Sequence, residues 1–454
     1  MSWQTSHAKL GMSARSKIQL LLWSYFWLLI FEGALRKWIF PGFSNPLLVI
    51  RDPIAIVTLI LGLPYLLRSR WAVWVWAFWM IGIISVFTAL AFGHGDILTA
   101  FFGARIFWFQ LPLIFLFPAV FDYNDTMRFL KASAILAIPM TILAGLQFSL
   151  PQNHFLNLAP GGEAGVGFSG ALGKFRPPGT FSFISGLAEF FSLACVGVIA
   201  IFFIGKRPLP KWIFFSLLAT IAVLPISISR TLLYKYLTNI ISALVALLPT
   251  NRGLKMMIPF FILLSISITG ASFFKIVQEA QEAFFARWIE ASDQQSTSNG
   301  FSQAFQKRLQ SNTLDELRII MDQPLLGRGI GLGSNVGAMR VSGSRDFLVS
   351  ESAWGMLIGE LGSLLGVVVV GLRILLGVVM LKKSTFELKN GNPLPMLLCG
   401  VSVVGVVLGN TAQPTSLGFI VVCAGLLLAA CNSNFSSVHY PFSNSLQLSA
   451  DHAN

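Results

Sequence analysis

About a dozen apolar runs, each of roughly 17–25 residues, divide this chain, and a run of that length crosses a bilayer as a helix because its backbone polar groups are then satisfied internally. In order, the runs predict helices over 18–35, 47–67, 71–91, 97–119, 129–149, 184–204, 212–229, 231–249, 256–273, 352–380, 395–410 and 414–431. A soluble core does not need so many. With 55% of its 454 residues hydrophobic and 11% charged, the chain is predicted to be an all-α polytopic membrane protein of about twelve transmembrane helices. The predicted division is an N-terminal segment 1–17, a membrane domain 18–431 and a polar, Ser- and Asn-rich tail 432–454 that reads as disordered.

Lys and Arg in the short loops set the expected orientation, because the cytoplasmic side retains them. Lys9, Arg15, Lys17, Arg68, Arg70, Arg128, Lys131, Lys206, Arg207, Lys211, Arg252, Lys255, Lys382, Lys383 and Lys389 all fall on the side of the termini. Both termini are therefore expected in the cytoplasm, and segments 150–183 and 274–350 outside, which in a bacterium is the periplasm beyond the inner membrane. The net charge of +13 is then a topology signal, and binding of nucleic acid is the poorer explanation. The first apolar run continues into Phe31-Glu32-Gly33-Ala34-Leu35-Arg36-Lys37 without a small-residue cleavage site, so it reads as a retained helix. Cys195, Cys399, Cys423 and Cys431 lie in apolar runs, which supports neither a disulfide framework nor a metal site.

The two outside segments differ in character. The first is rich in Gly and Pro; its Gly165-Val166-Gly167-Phe168-Ser169-Gly170 matches a dinucleotide fingerprint in letters only, follows no strand and reads as a turn. The second is too long to be idle and predicts short amphipathic helices that cap the membrane domain, as the apolar spacing from Phe301 to Met321 suggests. Pro324 ends that pattern. Gly327, Gly329, Gly331 and Gly333 then permit a tight turn.

Arginines gather on the outer side, where topology disfavours them. Arg176 lies in Phe175-Arg176-Pro177-Pro178-Gly179-Thr180-Phe181, whose turn would hold a guanidinium at the membrane mouth, and Arg230 sits in Ser227-Ile228-Ser229-Arg230-Thr231 between two apolar helices. Arg308 and Arg318 fall in the long outer segment. Arg105 lies within a predicted helix, where a central Arg costs at least ~2.5 kcal/mol, so it either binds a ligand or pairs with a carboxylate such as Asp52 or Glu32. Such a set suits a phosphate or diphosphate presented from the lipid, because the guanidinium fork makes bidentate, charge-assisted hydrogen bonds. Glu351, opening helix 352–380, reads either as a general base or as a helix N-terminal carboxylate beside the capping candidates Ser350 and Ser352.

Over Arg176 to Gly366 the chain resembles the O-antigen ligase and O-antigen polymerase superfamily of bacterial envelope glycosyltransferases. The resemblance rests on Arg176 before Gly179-Thr180-Phe181, on Ser229-Arg230 opening a helix, and on Arg308 sixteen residues before Pro324-Leu325-Leu326-Gly327-Arg328-Gly329. It implies a GT-C type fold and transfer of a glycan from undecaprenyl diphosphate to a saccharide hydroxyl at the periplasmic face, inverting and without a metal or other cofactor. The implied partners are that donor, a saccharide or glycolipid acceptor and membrane lipids. Arg176, Arg230 and Arg308 would hold the diphosphate, with Arg318 and Arg105 assisting. The family's catalytic His, eleven residues before the Gly of a Glu-Leu-Gly element, is replaced here by Glu351 ahead of Glu360-Leu361-Gly362. Two other readings stay open. One is a transporter or flippase using Glu351, Glu360 and Arg373; the other is a non-catalytic scaffold for envelope assembly.

Overall fold

The computed structural model describes residues 12–205, 208–248, 251–293, 323–343, 349 and 352–432. Arg308, Arg318 and Glu351, the predicted helix over Phe301 to Met321 and the polar tail beyond residue 432 lie outside the described residues. Within them the fold is helical, without strands apart from an isolated bridge between Ser169 and Phe175. We label the principal helices α1 (Met12–Ala34), α2 (Arg51–Arg68), α3 (Ala72–Ala91), α4 (Ile97–Arg105), α5 (Tyr123–Ser149), α6 (Ile184–Ile204), α7 (Trp212–Ile226), α8 (Arg230–Leu247), α9 (Asn251–Ser272), α10 (Lys275–Asp293), α11 (Asn335–Ser342), α12 (Ala353–Lys389), α13 (Leu394–Leu408) and α14 (Pro414–Ala430).

Among the described residues, eight helical stretches are long and apolar enough to cross a membrane, and α7, α13 and α14 are shorter apolar helices. The architecture is that of a polytopic helical membrane protein. α6 is predominantly apolar and buried on nearly every side, as a central helix should be, whereas Ile60 of α2, Val73 and Phe87 of α3 and Leu364 of α12 stand exposed. Exposed apolar side chains spread over so many helices are those of a surface that meets lipid.

α8 is not among the eight. Its sequence places Lys235, Tyr236 and Asn239 among apolar residues, and each is used inside the bundle. The Lys235 ammonium meets Glu189 of α6 at 2.9 Å, the Tyr236 hydroxyl donates to the Thr220 carbonyl, and the Asn239 amide donates to Ser192. These pairings let a less apolar helix stand inside an apolar bundle.

Two predicted helices are broken. The run 97–119 begins as α4, widens into a π-helical turn over Ile106–Gln110 and tightens into a 3-10 segment over Leu111–Phe115. Pro112 supplies part of the reason, since it has no N–H for the ladder. α12 is interrupted at Gly362, whose φ of 84° and ψ of 171° are open to glycine and strongly disfavoured for other residues.

The start of α1 and the residue following α14's last turn share one end of the bundle. Arg15 Nε donates to the Val120 carbonyl at 2.9 Å, and Asn432 donates to the neighbouring Pro118 carbonyl. α1 carries the chain from there to Arg36 and Lys37 at the opposite end. That opposite end gathers loop 150–183, the turn over 323–334, α11 and the α13–α14 connection. α10 covers part of it: Glu279 pairs with Lys174 at 2.8 Å, and Arg287 donates to the Ser169 carbonyl at 2.8 Å. The Lys174 ammonium holds the Glu279 carboxyl below its usual range.

Candidate functional site

At the end of the bundle away from Met12 lies a cavity of about 750 Å³, formed by segments distant in sequence. α1 supplies Glu32, and the π-helical turn that extends it, Leu35–Ile39, supplies Arg36 and Lys37. Loop 150–183 supplies Glu163 and Arg176, α11 supplies Arg340, and the α13–α14 connection supplies Gln413. Basic residues on this wall outnumber acidic ones: Arg36, Lys37, Arg176 and Arg340 against Glu32 and Glu163. Phe102, Phe168, Phe175 and Phe183 make much of the remaining lining apolar.

The turn that carries Arg176 is fixed from below. The Arg176 backbone N–H donates to the Phe168 carbonyl at 2.9 Å, closing a small hairpin beside the Ser169–Phe175 bridge. Gly179, at φ 63°, follows the two prolines, and Gln147 of α5 holds it on both sides: it accepts from Gly179 N at 2.8 Å and donates to the Gly179 carbonyl at 3.1 Å. The buried Lys37 ammonium donates to the same carbonyl at 2.6 Å. Thr180 Oγ1 then donates to the Ile30 carbonyl at 2.7 Å, where the turn rests on α1. Gly33 makes that approach possible, because a Cβ there would collide with the backbone of Thr180 and Ser182.

Behind the wall a chain of buried polar groups runs into the bundle. Glu32 accepts from Arg51 at 3.0 Å and from Arg36 at 3.4 Å. Arg51 also donates to the Pro414 carbonyl at 2.7 Å and reaches the Tyr25 hydroxyl at 3.4 Å. Tyr25 donates to Gln110, Gln110 donates to Asp52 at 2.6 Å, and Asp52 pairs with Arg105 at 2.7 Å. Three guanidiniums here face two carboxylates, so the chain carries surplus positive charge toward the cavity.

The glycine turn closes another side. Where α12 breaks at Gly362, the carbonyls of Gly359 and Glu360 lose their partners in the helix and accept instead from Arg328 N and Gly329 N, each at 3.0 Å. The freed N–H groups of Ser363 and Leu364 donate to the carbonyls of Pro324 and Leu325, each at 3.3 Å. The Glu360 carboxylate, almost fully buried, accepts from Gly331 N at 3.1 Å and from Gly333 N. Gly333 and Ser334 thereby become part of the cavity wall. Asp96 caps α4 through Thr99 N and receives Arg340 Nε at 2.6 Å; the Thr99 hydroxyl and the Arg340 guanidinium hold its carboxyl down to about 2.

No family model, no curated protein and no solved structure matches this chain. What the cavity can do follows from its side chains. A wall rich in guanidinium and ammonium groups beside aromatic rings and amides accepts an anion that carries apolar or hydroxyl-rich parts. Among the described residues, no group of three or more His, Cys, Asp or Glu side chains could hold a metal ion.

Of the residues expected at the site, Arg176 lines the cavity. Arg230 opens α8 behind the capping Ser229 and is not part of the lining. Arg105 takes the second of its two expected roles and pairs with Asp52, its guanidinium also lying 4.1 Å from the Phe102 ring. Arg308, Arg318 and Glu351 fall outside the described residues, although Ser352 next to Glu351 caps α12 by accepting from Gly355 N at 3.1 Å. His94, in the loop between α3 and α4, packs against the glycine turn. Its Nδ1 accepts from Asp96 N, which leaves Nε2 to donate to the Ile330 carbonyl at 3.1 Å. Reading the sequence also overlooked Arg36, Lys37 and Arg340 as cavity residues. The only sequence signal for the first two was a basic pair on the outer side, where topology disfavours it.

Proposed function

We propose that this chain is a bacterial inner-membrane glycosyltransferase of about twelve spans that moves a glycan from undecaprenyl diphosphate to a saccharide hydroxyl. On this reading the termini are cytoplasmic and the cavity opens to the periplasm, the GT-C type arrangement implied by the sequence resemblance to O-antigen ligases and polymerases. The observation that carries the proposal is the cation-rich cavity at the end of the bundle away from the described termini, with Arg176 of the family-like turn in its wall. A diphosphate is already a good leaving group. The protein's task is then to position donor and acceptor and to neutralise the departing charge, which fixed guanidiniums do without reorganisation. Arg176 and its cationic neighbours would hold the diphosphate, joined by Arg308 and Arg318 from the long outer segment. Glu351 would take the proton from the acceptor hydroxyl, and attack opposite the leaving group would invert the anomeric carbon. No nucleic acid has a part in this reaction.

The test is reconstitution of the full chain with a lipid-diphosphate-linked oligosaccharide and a search for longer or transferred glycan. Product from the wild type, with loss of at least ~100-fold in Glu351→Gln, is the expected result for a general base. Equal activity in Glu351→Gln removes that role, and full activity in a well-expressed Arg176→Ala removes the diphosphate site.

One observation favours a transporter: α12 is discontinuous, as substrate-binding helices of transporters often are. In those proteins the exposed helix ends face a substrate. Here four backbone hydrogen bonds from the turn over 324–329 fill the break, which favours a fixed wall over a moving gate. Export or flipping of a labelled lipid-linked glycan by proteoliposomes that form no new glycosidic bond would reverse this preference.

A further inference from the structure

We propose that Arg36 is a preorganised phosphate-binding residue of the cavity, and that Glu32 positions it. This rests on reading the cavity as a diphosphate site and deepens that reading, since it assigns part of the ligand to the end of the first helix, distant in sequence from the loops whose motifs suggested the activity.

The guanidinium is held on one edge and left open on another. Arg36 Nε donates to the Ser44 carbonyl at 2.8 Å; Nη1 donates to Ser182 Oγ at 3.0 Å and reaches Glu32 at 3.4 Å. Nη2 has no acceptor among the described residues, and the residue lines the cavity although its side chain is only 10% exposed. A guanidinium has five N–H donors in a rigid fork, so an edge remains for a tetrahedral anion while the other edge fixes the plane.

The local charge also calls for an anion. Glu32 is shared, and it lies closer to Arg51, at 3.0 Å, than to Arg36, at 3.4 Å. Arg51 has no such opening, since Nε, Nη1 and Nη2 are directed to Glu32, Tyr25 and Pro414 respectively. Lys37, next in sequence, gives its ammonium to the Gly179 carbonyl and faces the Trp38 ring at 4.6 Å. Arg36 and Arg51 therefore share one carboxylate, while the neighbouring buried Lys37 has no carboxylate partner among the described residues, an arrangement that is costly unless another negative charge completes it. Glu163 on the same wall opposes an anion, but Arg176 and Arg340 lie there too. The π-helical turn fits this role: wide turns of this kind are frequent at functional sites, and this one carries Arg36 and Lys37 together.

The chemistry recognised is the phosphoryl oxygen of a diphosphate, which can come from a lipid or from solution. The test uses the full chain in nanodiscs, titrated with inorganic diphosphate and with farnesyl diphosphate, binding being read by fluorescence and by thermal stabilisation. Both the loss of a charge-assisted hydrogen bond and the loss of a nearby charge predict that Arg36→Gln weakens diphosphate binding by about tenfold or more. Arg36→Lys, which keeps the charge and loses the fork, should fall between. Tighter binding of the farnesyl probe identifies the lipid as the source, and equal affinities identify the diphosphate alone; either result supports the site.

A measurement on the wild type guards against a variant that fails to fold. Phenylglyoxal modification of Arg36, followed by peptide mass spectrometry, should slow when diphosphate is present. Unchanged modification, absence of diphosphate binding by the wild type, or wild-type affinity in a folded Arg36→Gln overturns the proposal. Glu32→Gln separates positioning from simple charge. Removal of a nearby negative charge alone would tighten binding and overturn the role of Glu32, whereas loss of the anchored plane weakens binding and Glu32→Asp restores part of it. A wild type that forms glycan, with Arg36→Gln at the same KM for donor, would refute Arg36 and leave the transferase reading standing. Arg36-dependent binding in a protein that never forms product would do the reverse.

Discussion

Replacing Gly362 by alanine tests the packing of the glycine turn against the broken helix most directly. At φ 84° and ψ 171° an alanine carries strain of about 1–3 kcal/mol. Its Cβ would also collide with the backbone of Leu325 and Gly327, so the turn has to move away. Movement puts at risk the four hydrogen bonds that join 324–329 to the two halves of α12, each contributing about 0.5–1.5 kcal/mol. The loss then lies between strain alone and about 9 kcal/mol if all four bonds go, a large part of the roughly 5–15 kcal/mol that holds a typical domain together. Melting of the purified protein in detergent should fall by on the order of 10 °C if most of those bonds are lost. Hydrogen exchange should quicken in peptides covering 324–333 and 359–364 before it quickens elsewhere. A Gly362→Ala protein that melts within about 2 °C of the wild type, with unchanged exchange over 324–333, would refute the argument that this glycine is required by geometry.

Gln147→Leu keeps volume but removes the hydrogen bonds to Gly179 and Leu156, so it should cost about 2–4 kcal/mol in thermal melts and raise exchange over 176–182. Asp52→Ala leaves Arg105 buried without its carboxylate and should destabilise by about 3–5 kcal/mol, with Asp52→Ala/Arg105→Met recovering much of the loss in a double-mutant cycle. For Asp96 the folded pKa, about 2, is depressed below the unfolded value. Its contribution is therefore complete above the unfolded pKa of about 3.9 and disappears as pH falls through the folded value. Exchange over 97–102 should stay constant from neutral pH down to about 4.5 after correction for intrinsic rates, and rise below about 3.

The order and positions of the helices were legible from apolar runs. Run 184–204 coincides with α6, and 71–91 differs from α3 by a single residue at the start. The breaks were not legible, because hydropathy measures the transfer of side chains and says little about which backbone groups find partners. Leu357, Ile358 and Leu361 make the first half of α12 apolar, yet Gly362 turns the chain there because Pro324 and Leu325, nearly forty residues earlier, satisfy the N–H groups that follow it. The candidate site was legible only where a motif concentrated signal. Arg176 stood out beside two prolines and a glycine. Arg36 and Lys37 sat in no motif, since their partners Ser182 and Gly179 lie 146 and 142 residues away. Arg105 offered two roles at the sequence level. The turn of α2 that brings Asp52 within 2.7 Å decides between them.

The bond from Arg51 to the Pro414 carbonyl joins positions 363 residues apart, at the beginning of α2 and of α14. During synthesis from the N-terminus, that acceptor emerges 363 residues after Arg51. Until then Arg51 has one partner fewer, and Glu32 and Arg36 lack a settled neighbour. Assembly of the cationic wall is thereby tied to the arrival of α14, and a product terminated before it would leave the cavity unfinished.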